Sequence, residues 1–209
     1  MGIRSLSTAS ISTGTKRSKV WDQSAVVNNN SYESIATINV TSNTNSVTFS
    51  SIPSGYKHLQ IRGIARSAYS STSAGCSQYK LQFNGDTASN YSYHQAGGTG
   101  AATFSQNAAS QAQIAMNATW SNVGGYGSVV YVPVIVDIID YKNTSKNKTV
   151  RIVEGFEGNQ ASNNQYIMQR SAAWYSTSAI TSITLDSTPG YADGSFASGT
   201  QFALYGIKE

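Results

Sequence analysis

Residues 128–140 read SVVYVPVIVDIID, the most apolar run in this chain of 209 residues. Val and Ile dominate it, and β-branched side chains suit a pleated, packed strand better than a helix. Pro133 and Asp137 interrupt it, and it is too short to cross a bilayer as a helix. Its near-continuous apolar character predicts a strand buried on both faces, by the core on one side and by another layer or subunit on the other.

On either side of this run the chain reads as short strands between turns. Residues 32–40 (YESIATINV) place Ala36, Ile38 and Val40 on one face. Residues 47–49 follow, then the turn Ile52-Pro53-Ser54-Gly55. Residues 58–66 (HLQIRGIAR) send Leu59, Ile61 and Ala65 inward and Gln60, Arg62 and Arg66 outward. Residues 79–84 (YKLQFN) end at Asn84-Gly85-Asp86, a turn signal. Residues 149–156, 165–170, 179–185 and 200–207 bring the expected strands to nine. Residues 96–127, rich in Gly, Ala and Ser, read as a surface loop region with weak strand character around 113–120. No segment of ten or more residues has helical periodicity with caps. The expected fold is therefore all-β, an antiparallel β-sandwich of jelly-roll-like character. Parallel α/β is excluded because crossover helices are missing.

The first thirty residues differ from the rest. They carry Arg4, Lys16, Arg17 and Lys19 against Asp22, which is +3 of the chain's formal +4. Their few apolar residues are isolated among Ser, Thr and Gly, too little apolar surface to fold alone. Residues 1–30 thus read as an extended anchoring arm and residues 31–209 as the sandwich body. In the arm, Arg4, Lys16, Arg17 and Lys19 would clamp acidic groups of a partner, with Trp21 as the buried plug. Three clustered charges beside one Trp are a weak nucleic-acid signal, so nucleic acid is not the expected partner.

Charged residues make up only 11% of the chain, and Ser, Thr and Asn about a third. Solubility then rests on hydroxyls and amides, and low charge suits packing beside identical copies. One cysteine, Cys76, allows no intrachain disulfide. No apolar run of seven or more follows the basic N-terminus, so the expectation is synthesis in a reducing cytoplasm without membrane insertion.

The inventory for chemistry is thin. The two histidines, His58 and His94, lie in no HxH or HxxxH pattern, and no metal or cofactor is expected. No GxSxG elbow is present. Asp137 with Asp140, or Glu154 with Glu157, could form a glycosidase pair, but a structural Asp paired with Lys or Arg is the expected reading of Asp137. Tyr91, Tyr93, Trp120, Tyr126, Trp174 and Tyr175 lie in or near predicted loops. They could stack on sugars or pack subunits, and packing is favoured.

Several segments carry a resemblance. SYESIATINV (31–40), NSVTFSSIPSGYKHLQIRGIAR (45–66), LQFNGDTASNYSYH (81–94), VIVDIIDYKNTSKNKTVR (134–151), AITSITL (179–185) and FALYGIK (202–208) resemble a family of tailed-bacteriophage, cyanophage-like virion structural proteins. The arm GIRSLSTASISTGTKRSKVWDQSA (2–25) is similar to N-terminal segments of phage virion proteins. The resemblance implies a non-enzymatic, tail fibre-like component of the virion. The arm would dock into a neck, baseplate, tail or capsid protein and the body would project as a homo-oligomer, with a homotrimer favoured. A capsid cement (decoration) protein and a module binding host-surface glycans are the alternatives.

Overall fold

The computed structural model describes residues 31–70, 76–121, 130–157, 165–187 and 195–208. Among these residues there are twelve strands and no helix. In chain order they are β1 (Tyr32–Asn39), β2 (Ser46–Phe49), β3 (His58–Ser70), β4 (Cys76–Phe83), β5 (Tyr91–Gly98), β6 (Thr103–Gln111), β7 (Ile114–Ser121), β8 (Val132–Ile139), β9 (Lys148–Phe156), β10 (Tyr166–Trp174), β11 (Ile183–Ser187) and β12 (Gln201–Ile207).

The strands form two sheets packed as a sandwich. The larger runs β1-β12-β3-β8-β9-β10-β5-β6, and the smaller runs β2-β11-β4-β7. The chain passes back and forth between them, as in a jelly roll. All pairings between named strands are antiparallel except one. The last residues of β3 run parallel to β7, with Arg66 opposite Thr119 and Ser70 opposite Ser121.

That exception marks a change of sheet. Leu59–Ala65 of β3 pair with β8, and His58–Ile64 pair with β12. Beyond Ala65 the inward–outward alternation stops, and Ala65, Arg66 and Ser67 are all buried. Arg66, expected on the solvent side, is enclosed. Its guanidinium donates to the Ser198 carbonyl at 3.2 Å and lies over the Tyr131 ring. The backbone of the 195–200 segment takes over the place of β12, through Ala197 N–H to Arg66 C=O and Ala68 N–H to Ser195 C=O.

Two aromatic groups fill the core. Tyr79, Phe196 and Phe202 meet near edge-on or tilted, with centroids 5.2–6.0 Å apart. Phe83, Tyr91 and Trp174 form the second group, at 5.6–6.3 Å. Such contacts add to the area term that dominates core stability.

Among the described residues one face of strand β8 is covered by the core, and the other, expected to meet another layer or subunit, has no described layer of the chain over it. Its burial alternates, with Val132, Val134, Val136 and Ile138 inside and Ile135 and Ile139 about 40% exposed. One expectation fails here, that residues 96–127 form a loop region. The described part is mostly strand: the end of β5, all of β6 and all of β7. Ala, Gly and Ser have weak strand propensity alone, but pairing decides. Strand β5 is held against β10 from Trp174↔Tyr91 to Ile167↔Gly98. At Gly97 the missing side chain is required, because a Cβ would lie 2.4 Å from the Ile167 carbonyl oxygen and 2.6 Å from the Phe104 ring.

This geometry separates two adjacent glycines. Gly97→Val is expected to lower unfolding free energy by about 2 kcal/mol, as overpacking does. Gly98→Ala, whose new Cβ meets nothing nearer than 3.6 Å, should be close to neutral. Urea denaturation of the two variants checks this; equal effects would contradict the packing.

Candidate functional site

The carboxylates that could have done chemistry are engaged in structure. On the outer face of the larger sheet, Asp137 accepts from Arg151 Nη2 at 2.8 Å and from Gln60 Nε2 at 2.7 Å. Gln60 in turn accepts from Arg62 Nε at 2.6 Å, and Arg62 sits over the rings of Tyr32 and Tyr205. Asp140 lies where β8 ends, at a left-handed φ of 51° that suits a short polar side chain. Its hydrogen bond from Lys146 holds its carboxyl below the ordinary range. Its backbone N–H donates to His58 Nδ1 at 3.0 Å, so that nitrogen of His58 is an acceptor.

Glu154 points the other way, into the sandwich. It is sealed from solvent and accepts from the Asn117 backbone N–H at 3.2 Å, from Asn117 Nδ2 at 3.0 Å and from Arg170 Nη1. Arg170 continues to Gln95 Oε1 at 2.7 Å. Burial pushes the Glu154 carboxyl up, and Arg170 and Asn117 oppose that shift. Glu157 lies just beyond β9 on the exposed side. In each candidate pair one carboxylate is held by an intramolecular ion pair, Asp137 by Arg151 and Glu154 by Arg170. Among the described residues no three His, Cys, Asp or Glu side chains gather as a metal site.

Lys148 is another internal charge. Buried at 1% exposure, its ammonium donates to three carbonyls, of Asn143 at 2.6 Å, Lys146 at 2.9 Å and Thr177 at 3.1 Å. Burial lowers its pKa. It organises the β8–β9 loop as a bound cation would.

The aromatic candidates divide. Tyr91 and Trp174 are core residues, 0% and 2% exposed, which removes them from any surface role. The sequence pattern does not show β5 and ends β10 at Arg170, four residues early, which leaves both aromatics near apparent loops. Tyr93 is half-buried under the Arg170 guanidinium. Tyr175 is 57% exposed and accepts a hydrogen bond from Ser92. His94 stands on β5 and lines a shallow groove with Asn107, Gln169 and Ser171. Tyr126, the Trp120 side chain and the arm residues Arg4, Lys16, Arg17, Lys19 and Trp21 lie outside the described residues.

What the sequence reading missed is the outer face of the larger sheet. Among the described residues the exposed large hydrophobics are Tyr32, Ile64, Ile135, Ile139, Val153, Ile167 and Tyr175. The register groups four of them, Ile64, Ile135, Val153 and Ile167, and the polar row Gln60, Asp137, Arg151 and Ser171 separates these from Ile139, Tyr32 and Tyr175. Ile64 pairs with Pro133, Ile135 with Val153, and Gly155 with Ile167, while Tyr175 bonds Ser92 of the same face. Between the start of β8, the end of β9 and the start of β10 this face dips into a groove of ≈ 650 Å³. Pro133, Ile135, Val153 and Ile167 line it, Gly155 and Gly98 leave it open, and Tyr131 and Tyr166 flank it. The signal was in the sequence: Ile135, Ile139 and Val153 occupy the outward positions of their strands.

Two expectations test the internal bridges. Removing either Glu154 or Arg170 by substitution with Ala strands a buried charge and is expected to cost about 3–5 kcal/mol. The double variant E154L/R170M should recover part of that loss, measured by chemical denaturation. Hydrogen bonds from Asn90, then from Trp174 Nε1 (2.7 Å), depress the Asp86 carboxyl. A depressed carboxyl stabilises fully above its unfolded-state pKa, and that stability is lost as pH falls through and below the carboxylate range. Asp86→Asn should therefore flatten the acid limb of Tm against pH. No family model, no curated protein and no solved structure matches this chain, so the functional reading rests on its own residues.

Proposed function

We propose that this protein is a non-enzymatic structural component of a tailed-phage virion, a tail or neck fibre-like appendage docked to the particle by residues 1–30. The observation that carries the reading is the break at residue 30. A basic segment with too little apolar surface to fold precedes a body whose ionised groups nearly cancel. The sequence resemblance to phage structural proteins supplies the particle. The engagement of Asp137, Asp140 and Glu154 in structural contacts supports a body without catalytic machinery. In the proposed particle the body is a homo-oligomer, with other virion proteins as the arm's partners.

Deleting residues 1–27 tests this. The truncated chain is expected to keep the far-ultraviolet circular dichroism of the full chain and to be missing from assembled particles. Normal incorporation of the truncation would sink the anchor. Copies per particle, by quantitative mass spectrometry, then separate a fibre-like appendage (few to a few dozen) from a capsid decoration protein (hundreds). Binding of host-surface glycans by the body would favour the carbohydrate-binding alternative.

A further inference from the structure

The two outer faces of the sandwich are chemically unlike. On the smaller sheet the outward positions hold Ser46, Thr48, Thr184, Asp186, Gln78 and Lys80, with Thr48 bonded to Thr184 and Lys80 paired to Asp186. That is an ordinary solvated face. The larger sheet carries the exposed large hydrophobics, Ile167 at 69% among them. Single exposed apolar residues need no explanation, but a contiguous set on adjacent strands marks a surface made to be covered.

We infer that another copy of this chain covers it, by packing of the larger sheets face to face. Three observations favour a copy over a foreign partner. The first is charge. The ionised groups in the middle of the face are Arg62, Asp137 and Arg151, and they come with their own partners. Asp137 is bonded to Arg151 and Gln60, Arg62 to Gln60, and the Arg62 guanidinium lies against two Tyr rings at 5.5 and 5.7 Å. A face whose polar groups are already paired can be desolvated without a complementary partner charge, and against itself it meets little like-charge repulsion.

The second is area. Eight strands about 4.8 Å apart and about eight residues long at ~3.3 Å each present roughly 900 Å². A stable interface needs about 800 Å² per partner. The third is shape. The face has low places at the Gly155 and Gly98 groove and at the groove beside His94, and two twisted sheets pack well when side chains from each fill such low places. Covering this face would bury the second side of β8, whose apolar sequence asks for it. This deepens the homo-oligomer of the proposed function by naming the face through which copies meet, and it uses only residues of the body.

Sedimentation velocity of the full chain over a dilution series is the test. The wild type is expected to sediment as an oligomer. Ile135→Lys and Val153→Lys, which put cations at directly opposed positions in the centre of the face, are expected to lose that species and run as monomers with unchanged circular dichroism. Thr48→Lys on the other face should leave it intact. A wild type that is monomeric at every concentration overturns the inference, as does an oligomer that survives both face variants. Loss of the oligomer on deleting residues 1–27, with Ile135→Lys without effect, would assign self-association to the arm and also overturn it.

Discussion

A strand has two edges, so along any stretch it can pair with only two neighbours. The architecture of this protein turns on how β3 meets that constraint. Its first half lies between β12 and β8 in the larger sheet. Its last residues run beside β7, with the 195–200 segment on the other edge. One continuous strand thereby joins both layers, and the loss of alternation at Ala65, Arg66 and Ser67 is the mark of the crossing. Ser198 C=O and the Tyr131 ring receive the buried Arg66 guanidinium, whose Nε finds no acceptor among the described residues.

The second join is polar. At the far side of β7 the Asn117 N–H would be an orphan donor, and Glu154 reaches across from β9 to accept it. Bringing a carboxylate inside then requires Arg170, and Arg170 requires Gln95. Each buried charge is thus explained by the one before it, beginning with a single unpaired backbone group. Lys148 follows the same logic at the β8–β9 loop, where one ammonium satisfies three carbonyls. These sites attract attention as titratable groups with shifted pKa values, yet their geometry is that of braces between layers. With the interior braced in this way, the body's chemistry faces outward as surfaces: one polar, one with an apolar patch at Ile64, Ile135, Val153 and Ile167, and the basic β8–β9 loop with Lys142 and Lys146 at one end.

Much of this was legible in the residues. Alternation in 32–40, and the turn at Asn84-Gly85-Asp86, foretold the strands they belong to because those strands have one wet and one dry face. The stretch 96–111 was not legible. Ala, Ser and Gly have no strong local preference, and their extended form comes from pairing with β10, itself distant in sequence. The fate of the aromatics was hidden for a related reason. Tyr91 and Trp174 face the core because β5 and β10 register them opposite each other, with Asp86 accepting the Trp174 N–H.

The residues alone determined the all-β class and the break in composition at residue 30 between a basic segment and a nearly neutral remainder. Local propensity, periodicity and charge are properties of neighbours in sequence, so they can be read there. Tertiary structure decided which face of each strand is inside, which carboxylates became braces, and that the outward Ile and Val residues of β3, β8, β9 and β10 gather on one surface. Those depend on register between distant strands, where a shift by one residue would turn every side chain to the opposite face.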